Sequence, residues 1–481
     1  MNHESMLLTA ILVPTVGAFA LPLVGRMSPR LRNVLAAAMV LASLVVSLAL
    51  APAVLAGQII NVSYELPLGL NFSFTADALA VFVAIASSLV STIIVVYSWG
   101  YIAHYPNQNE YYCMVVLFLG AMMGLVFSAN LIWLYVFWEI TGIVSWRLIG
   151  FFRERYQVVR ADKAFLVTIF GAVLMLLGFL AIHQQTGSFD LAVIKQHMVG
   201  AKLSGGVMLL ILAGILSKSA TLPFHTWLPD AGVAPSPVTA LLHAAVLVKI
   251  GVYVFARLFV ATMGIEPDWR VIVAGVAAAS ALVSAGAALI DTDLKRIIAF
   301  STISQIGFIF LGLATGTSIG VAGAVLFILT HGLAKGGLFL CAGIIEHGTH
   351  TKDITALGGL IRKMPVTAIA FLLCAFSVMG LPPFGGFFSK YMVIAGAAQG
   401  LPLWVSCTFV AGAVLTIIYL FRVFNMVFLG EERTRAEREG VPVMVYSVAT
   451  LAVLSLLTGI FINPSTDFVR KAVENLPGIV K

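Results

Sequence analysis

Charged residues are scarce in this sequence. They make up 10% of the 481 residues, whereas hydrophobic residues make up 60%, and the mean hydropathy is +1.03. An ordinary soluble domain carries about 25% charged residues, so a soluble enzyme is excluded. A bilayer core about 30 Å thick needs about 20 apolar residues per helix. The chain is therefore long enough for more than a dozen crossings.

Cysteine is also scarce, and no cysteine has the CxxC or CxH spacing of a zinc or iron-sulfur site. Flavin and nucleotide signatures are missing too, so we expect neither a cofactor nor a metal in this chain. All the cysteines lie in apolar segments, which predicts small buried side chains. They are Cys113, Cys341, Cys374 and Cys407.

Apolar runs separated by Gly, Pro or charged residues predict an all-α polytopic membrane protein with about fourteen transmembrane helices. Ala18-Phe19-Ala20 resembles a signal cleavage site, but no basic residue precedes it, which favours a first crossing. The predicted units are residues 1–111 with three helices, two five-helix halves at 112–261 and 271–429, and 430–481 with a loop, the last helix and a short tail. The runs lie near 6–25, 34–56, 78–98, 112–128, 130–150, 164–182, 206–228, 237–261, 271–290, 297–314, 319–345, 365–398, 403–429 and 442–462.

The net charge of +7 suggests nucleic-acid binding at first sight, but the basic residues cluster by membrane side. Because basic loops stay in the cytoplasm, the asymmetry predicts that both termini lie outside and that no nucleic acid is bound. Fifteen basic residues fall in the predicted cytoplasmic turns: Arg26, Arg30, Arg32, Arg153, Arg155, Arg160, Lys163, Lys295, Arg296, Lys352, Arg362, Lys363, Arg433, Arg435 and Arg438. Six fall on the other side: Lys195, Lys202, Arg270, Arg470, Lys471 and Lys481.

Five ionisable residues lie deep within apolar runs, where charge is costly. They are Glu139, Lys218, Lys249, Lys335 and Lys390. One such lysine can be half of a structural ion pair, but four lysines cannot all pair with one glutamate. The set therefore indicates a proton path.

Two segments contain proline clusters that predict broken helices near mid-membrane. The segment GILSKSATLPFHTWLPDAGVAPSP contains Pro223, Pro229, Pro235 and Pro237, and the segment FSVMGLPPFGGFFSKYMV contains Pro382 and Pro383. Lys218 lies just before the first break, and Lys390 lies just after the second. Paired broken helices in two halves of a chain are typical of inverted-repeat transporters.

Histidines accompany the lysines. His331 and Lys335 are four residues apart, about 40° around a helix, and so share a face. His243 and Lys249 are six residues apart, about 120° around a regular helix, so they can only bracket a polar path. His243 is either a relay or a satisfied core histidine. His225, at the first break, is either part of the path or a partner of freed backbone groups.

The sequence resembles antiporter-like membrane subunits, a family shared by respiratory complex I, Mrp-type sodium/proton antiporters and membrane-bound hydrogenases. The resemblance runs from about residue 75 to residue 430. Four motifs carry it: SKSATLPFHTWLPDAGVAPSPVTALLHAAVLVKIGVY, DTDLKRIIAFSTISQIG, HGLAKGGLFLCAG and GLPPFGGFFSK.

The resemblance implies fourteen helices, with helices 4 to 8 and 9 to 13 as inverted repeats and helices 7 and 12 broken. It also implies a Glu139–Lys218 pair, connecting residues Lys249, His243, His331 and Lys335, and a terminal Lys390. The chain departs from the family at SWRLIGF, where Arg147 lies two turns from Glu139 and can give that glutamate a second partner.

Three functions are compatible with these observations. The first is a proton-translocating subunit of a complex I-like or hydrogenase-type redox complex. The second is a subunit of an Mrp-type Na⁺/H⁺ antiporter without redox activity, and the third is a structural spacer that has lost transport. The intact buried charges argue against the spacer. We expect a multi-pass protein of the inner (plasma) membrane, in contact with lipid and with other membrane subunits, that moves H⁺ and, in the second reading, also Na⁺.

Overall fold

The computed structural model describes residues 2–67, 71–199, 201–436, 439–474, 476, 477 and 479. Arg438 and Lys481, both used in the charge count, lie outside the described residues. The helices and strands are α1 (His3–Gly17), α2 (Leu21–Met27), α3 (Pro29–Leu55), β1 (Ile60–Glu65), β2 (Asn71–Ala76), α4 (Ala78–Tyr101), α5 (Gln108–Phe127), α6 (Leu131–Ile149), α7 (Arg155–Thr186), α8 (Leu191–His197), α9 (Gly205–Lys218), α10 (Trp227–Asp230), α11 (Ser236–Ala240), α12 (Leu247–Phe255), α13 (Pro267–Ile290), α14 (Leu294–Ala314), α15 (Ser318–Thr349), α16 (Pro365–Met379), α17 (Gly385–Gly400), α18 (Leu403–Phe428), α19 (Pro442–Ile460) and α20 (Ile462–Val473).

The protein is an all-α polytopic membrane protein. Within the described ranges, twelve helical segments are long and apolar enough to cross a membrane. Two of them are composite: α1 continues into α2, and α11 continues through π-helical turns at Leu241–Ala245 and Ala256–Val260 into one segment, Ser236–Val260. The shorter apolar helices α9 and α16 begin the two broken crossings. Together these make the fourteen crossings predicted from the sequence.

Both predicted breaks occur where the prolines interrupt the helices. α9 ends at Lys218, and the next helix, α10, begins only at Trp227. α16 ends at Met379, after which Gly380 adopts a left-handed conformation with φ +81°, and α17 begins at Gly385. A side chain is strained in that conformation, so glycine suits the position. Lys390 lies in the second turn of α17.

The Ser236–Val260 segment and α15 form the centre of the molecule, since every residue in the apolar window of each is buried. α15 packs against α4, α14, α16, α17 and α19. The helices α1, α3, α7 and α18 lie at the periphery, where large apolar side chains such as Leu166 and Phe170 are exposed. The two central helices carry His243, Lys249, His331 and Lys335. The candidate path therefore lies in the most buried part of the fold.

Three features differ from the sequence prediction. Residues 60–76, within the predicted three-helix unit, contain an antiparallel hairpin in which Ile60 pairs with Ala76. The predicted short tail contains the amphipathic helix α20, whose Phe468 ring packs against Phe82 on α4. Cys407 is exposed on α18, so the expectation that it is buried is wrong. The division into repeats at 112–261 and 271–429 stays a prediction.

We expect Gly386→Ala to destabilise the second break. A methyl group there would clash with the carbonyl oxygen of Ser377, on the other half of the broken crossing. Backbone cannot yield as a flexible side chain does, so the cost is about 1–3 kcal/mol. Gly286→Ala is the matched control, because a methyl group on that helical glycine meets nothing within 4 Å. Thermal unfolding in detergent should show a lower Tm for Gly386→Ala only, and equal Tm values would contradict the packing described.

Candidate proton path

Lys249 on α12 lies at the centre of the path. Its Nζ is 2.7 Å from Nδ1 of His331 on α15, and it donates to the carbonyl oxygen of His243 at 3.0 Å. Lys249 and His243 are completely buried, and His331 is 1% exposed. The π-helical turn containing His243 replaces the regular helix assumed from the six-residue spacing, and irregular turns of this kind are frequent at functional sites.

The contact with Lys249 limits the protonation state of His331. A protonated amine can only donate, so Nδ1 then accepts and the ring hydrogen sits on Nε2. Nε2 is buried and bonds to no described residue. Both ring nitrogens of His243 are likewise buried without a partner among the described residues. Neither histidine ring is thus fully hydrogen-bonded within the described residues, and the relay role of His243 stays a prediction.

Lys335 lies one helical turn beyond His331 on α15. Its Nζ donates to the Ser301 hydroxyl at 2.5 Å and to the Ile298 carbonyl oxygen at 3.2 Å, both on α14. The hydroxyl of Tyr419, from α18, donates to Ser301 at 2.6 Å. The amine of Lys335 is therefore connected to a hydroxyl chain without a carboxylate.

Lys390 is held by the break itself. Its Nζ donates to the carbonyl oxygen of Val378 at 2.7 Å and lies 3.5 Å from that of Met379. These are carbonyl groups at the end of α16 that have no intrahelical partner. The same amine lies 4.7 Å from the centre of the Phe308 ring, a cation-π distance.

A polar face of α14 joins Lys335 to Lys390. Ser301 contacts Lys335, Phe308 contacts Lys390, and Ser304 and Gln305 lie between them at helical spacing. The Ser304 hydroxyl and the Gln305 carbonyl oxygen are buried without a hydrogen-bond partner in the described residues. Sequence reasoning missed this face, although polar residues at i, i+3 and i+4 in an apolar helix were a usable signal.

Glu139 and Lys218 lie near each other at the other end of the path. The Lys218 amine donates to the carbonyl oxygen of Trp138 at 3.0 Å rather than to Glu139. Both groups lie next to Gly142: a methyl group on this glycine would be 3.2 Å from the Lys218 amine and 3.9 Å from the Glu139 carboxylate. The carboxylate thus stands near the amine without a direct ion pair. Glu139 is only half-buried, whereas Lys218 is 1% exposed.

Arg147 does not give Glu139 a second partner, so that expectation is wrong. Its guanidinium contacts Glu110 on α5, which also accepts a hydrogen bond from Arg153 at 2.6 Å. The side chain of an arginine near a helix end extends toward the interface, here away from Glu139. His225 lies half-buried in the first break, with Nδ1 unpartnered among the described residues. The structure does not bring it into contact with the lysines.

Arg147→Gln should lower the free energy of unfolding slightly and leave the rate of ion exchange unchanged. About a quarter of each side chain in the Arg147–Glu110 pair is exposed, 27% and 28%. Solvent screens such a pair, so we expect a loss of about 1 kcal/mol. The Tm in detergent should fall slightly, while ion exchange per assembled complex stays at the wild-type level. A large loss of exchange with normal assembly would place Arg147 in the path after all.

The four buried lysines share one electrostatic feature. In the described part of the chain, none of them forms an ion pair, and carbonyls, hydroxyls, an imidazole or aromatic faces surround their amines. A buried charge without a counter-ion is costly, so these groups are suited to gaining and losing protons. The order Lys218, Lys249, His331, Lys335 and Lys390 for a proton path stays a prediction.

Comparison with known proteins identifies the family. Residues 128–416 match the family model described as NADH:quinone oxidoreductase/Mrp antiporter, TM. The chain belongs to this family. Residues 65–112 match a second model, NADH-Ubiquinone oxidoreductase (complex I), chain 5 N-terminus. The antiporter-like membership expected from the sequence motifs is confirmed.

Relatives extend the likeness over almost the whole chain. One Na(+)/H(+) antiporter subunit, from Alkalihalophilus pseudofirmus, is 35% identical over 82% of this chain and 53% of its own length. Another Na(+)/H(+) antiporter subunit, from Staphylococcus aureus, is 31% identical over 98% of this chain and 64% of its own length. The chain thus spans about half to two thirds of these relatives.

Two solved structures share the fold, each at 23% sequence identity. A chain of the Mrp complex from Dietzia sp. DQ12-45-1b has a TM-score of 0.90, with 99% of this chain and 98% of that one covered. A chain of the membrane-bound sulfane sulfur reductase, an archaeal respiratory membrane complex, has a TM-score of 0.88 with 97% of each chain covered. The same fold therefore occurs in chains of an Mrp complex and of a respiratory membrane complex.

Proposed function

We propose that this chain is an ion-translocating subunit of an Mrp-type complex that exchanges Na⁺ for H⁺ without redox chemistry. The observation that carries the proposal is the row of buried amines and imidazoles from Lys218 to Lys390. The names of the relatives at 31% and 35% identity support the antiporter reading better than a redox complex. The respiratory neighbour keeps the redox complex as the second candidate.

In the proposed mechanism, protons move along the path by short transfers between side chains. Lys249 passes its proton to Nδ1 of His331, 2.7 Å away, and the ring releases the other proton from Nε2. Lys335 receives it and, through Ser301 and the polar face of α14, passes it to Lys390. A change of charge on Glu139 alters how strongly Lys218 holds its proton, so Glu139 is a regulating rather than a transferring group.

Other membrane subunits complete the proposed complex. Glu139 is only half-buried in this chain, and peripheral helices expose apolar side chains to lipid or to neighbours. A partner seated against α6 would enclose the glutamate and set its charge. The distribution of basic residues supports an orientation in the inner (plasma) membrane with both termini outside.

The experiment is a sodium pulse on inside-out vesicles that contain the complete complex. Vesicles are first acidified by respiration, respiration is then blocked, and NaCl is added while the internal pH is followed with a fluorescent dye. The proposal expects alkalinisation on adding Na⁺ with no electron donor present. No response to Na⁺, together with proton pumping that follows electron transfer through the same complex, would favour the redox alternative.

A further inference from the structure

Lys295 counts as a loop charge in the sequence, but the structure buries it. Lys295 is 2% exposed and pairs with Glu346 at the end of α15, with 2.6 Å between Nζ and Oε2. The same amine donates to the carbonyl oxygen of Ala234 at 3.2 Å. This ion pair lies at the end of the molecule where the predicted cytoplasmic turns contain Arg296 and Lys352, called the basic end below. It is not part of the candidate path described above.

Glu346 faces solvent on one side. It lines an open depression of about 420 Å³, and its side chain is 29% exposed. The ionisable groups around that depression include Lys352, which pairs with Asp293 at 2.8 Å. The others are Asp353 and His350 in the depression, and His347 on the outer side of α15, whose ring stacks on that of His104 at 5.9 Å.

On its inner side Glu346 faces the buried helices. The Ser236 hydroxyl, at the start of α11, donates to Oε2 at 3.4 Å. The Tyr101 ring centre lies 6.3 Å from those of Tyr105 and His347. Burial, together with Tyr101 and the nearby Glu346 carboxylate, raises the pKa of Tyr105 to about 12. Tyr105 therefore keeps its proton near neutral pH and can act as a donor.

From Ser236 a polar edge leads to the centre of the path. Ser236 and Thr239 lie on α11, and His243 follows in the π-helical turn Leu241–Ala245, so the three side chains succeed each other along one helical segment. The Thr239 hydroxyl donates to the Pro235 carbonyl oxygen at 3.2 Å. Both nitrogens of the His243 ring are buried and unpartnered among the described residues. The edge therefore ends on a ring that can still accept a proton.

We propose that Glu346, paired with Lys295, is the proton entry site from the basic end of the molecule, and that Ser236 and Thr239 lead from it to His243. Glu346 takes a proton from water in the depression and loses its charge, while the Lys295 amine stays bonded to the Ala234 carbonyl. The Ser236 hydroxyl then takes this proton as it gives its own onward toward His243, and the Lys295–Glu346 ion pair forms again with Glu346 unprotonated. This inference rests on the proposed function, since it supplies the access that a proton path needs.

The test is Glu346→Gln in the complete complex, with exchange measured while the pH is varied at one membrane face at a time. Glutamine keeps the size of the side chain but cannot take up a proton. We expect exchange to fall on the order of tenfold or more, and its dependence on pH at the basic face to weaken. The dependence on pH at the opposite face should stay unchanged, whereas a merely structural defect would lower the rate equally for both faces.

The controls separate this site from the path itself. Glu266→Gln breaks the exposed pair with Lys202 at 3.3 Å and should behave as wild type. Glu346→Asp should restore part of the exchange and its pH response. Wild-type exchange in Glu346→Gln would overturn the entry site alone, provided that Lys249→Met still abolishes exchange. Wild-type exchange in both variants would overturn the proposed function as well.

Discussion

Lys249→Met should reduce Na⁺-driven proton movement on the order of a hundredfold, the largest effect we expect from a single change. Positioned groups that transfer protons contribute about 10²–10⁴-fold to rates. The Lys249 amine contacts the His331 ring nitrogen, and it also bonds to the His243 carbonyl in the π-helical turn. Methionine fills a similar volume without a proton to give. The measurement is the sodium pulse on vesicles with equal amounts of assembled complex.

Lys202→Met is the matched control for this prediction. The Lys202 side chain is 76% exposed and pairs only with Glu266 among the described residues, so its loss should leave exchange unchanged. Because methionine removes a buried charge rather than creating one, Lys249→Met is also expected to assemble. Exchange at the wild-type rate in an assembled Lys249→Met complex would show that protons do not pass through Lys249.

The buried lysines and the helix breaks were predictable from the sequence because their signals are local. A lysine such as Lys218 inside an apolar run is costly in a bilayer, and prolines such as Pro223 break a helix wherever they stand. Both observations need only neighbouring residues. The spacing of His331 and Lys335 likewise indicates their shared face without any knowledge of the rest of the fold.

The contacts between distant segments could not be predicted in the same way. Arg147 pairs with Glu110, 37 residues earlier in the chain. Lys295, at the start of α14, pairs with Glu346 near the end of α15. The neighbours of Arg147 and Lys295 indicate only a helix-end charge and a loop charge. Which carboxylate each one meets depends on how α5, α6, α14 and α15 pack, and the sequence of one segment does not state that.

The structure also changes which groups are expected to stabilise the buried charge of Lys218. The resemblance implies that Glu139 pairs with Lys218, yet the amine bonds to the Trp138 carbonyl, and its cation-π distance to the Trp138 ring is 5.1 Å. Carbonyl dipoles and aromatic faces support a charge less strongly than a carboxylate in contact. A lysine held this way can respond to a charge change nearby, which a tight ion pair would resist.

Lys390 offers the sharpest test of whether these amines carry protons or only charge. Its side chain is 4% exposed, and the groups around its amine are the Val378 and Met379 carbonyls and the Phe308 ring. Arginine would keep a positive charge at this position and can bond to the same carbonyls, but it does not release its proton in proteins. Charge and proton exchange can therefore be separated by one substitution.

We expect Lys390→Arg to lower exchange on the order of a hundredfold, as much as Lys390→Met does, because both block proton release at the end of the path. The measurement is again the sodium pulse, with assembly checked by copurification of the complex and by its Tm. Lys202→Arg, at the pair with Glu266 on the surface, is the control for the chemical change itself. If Lys390→Arg instead exchanged ions at the wild-type rate while Lys390→Met did not, the residue would supply a fixed charge, and the proton would have to leave the path before α17.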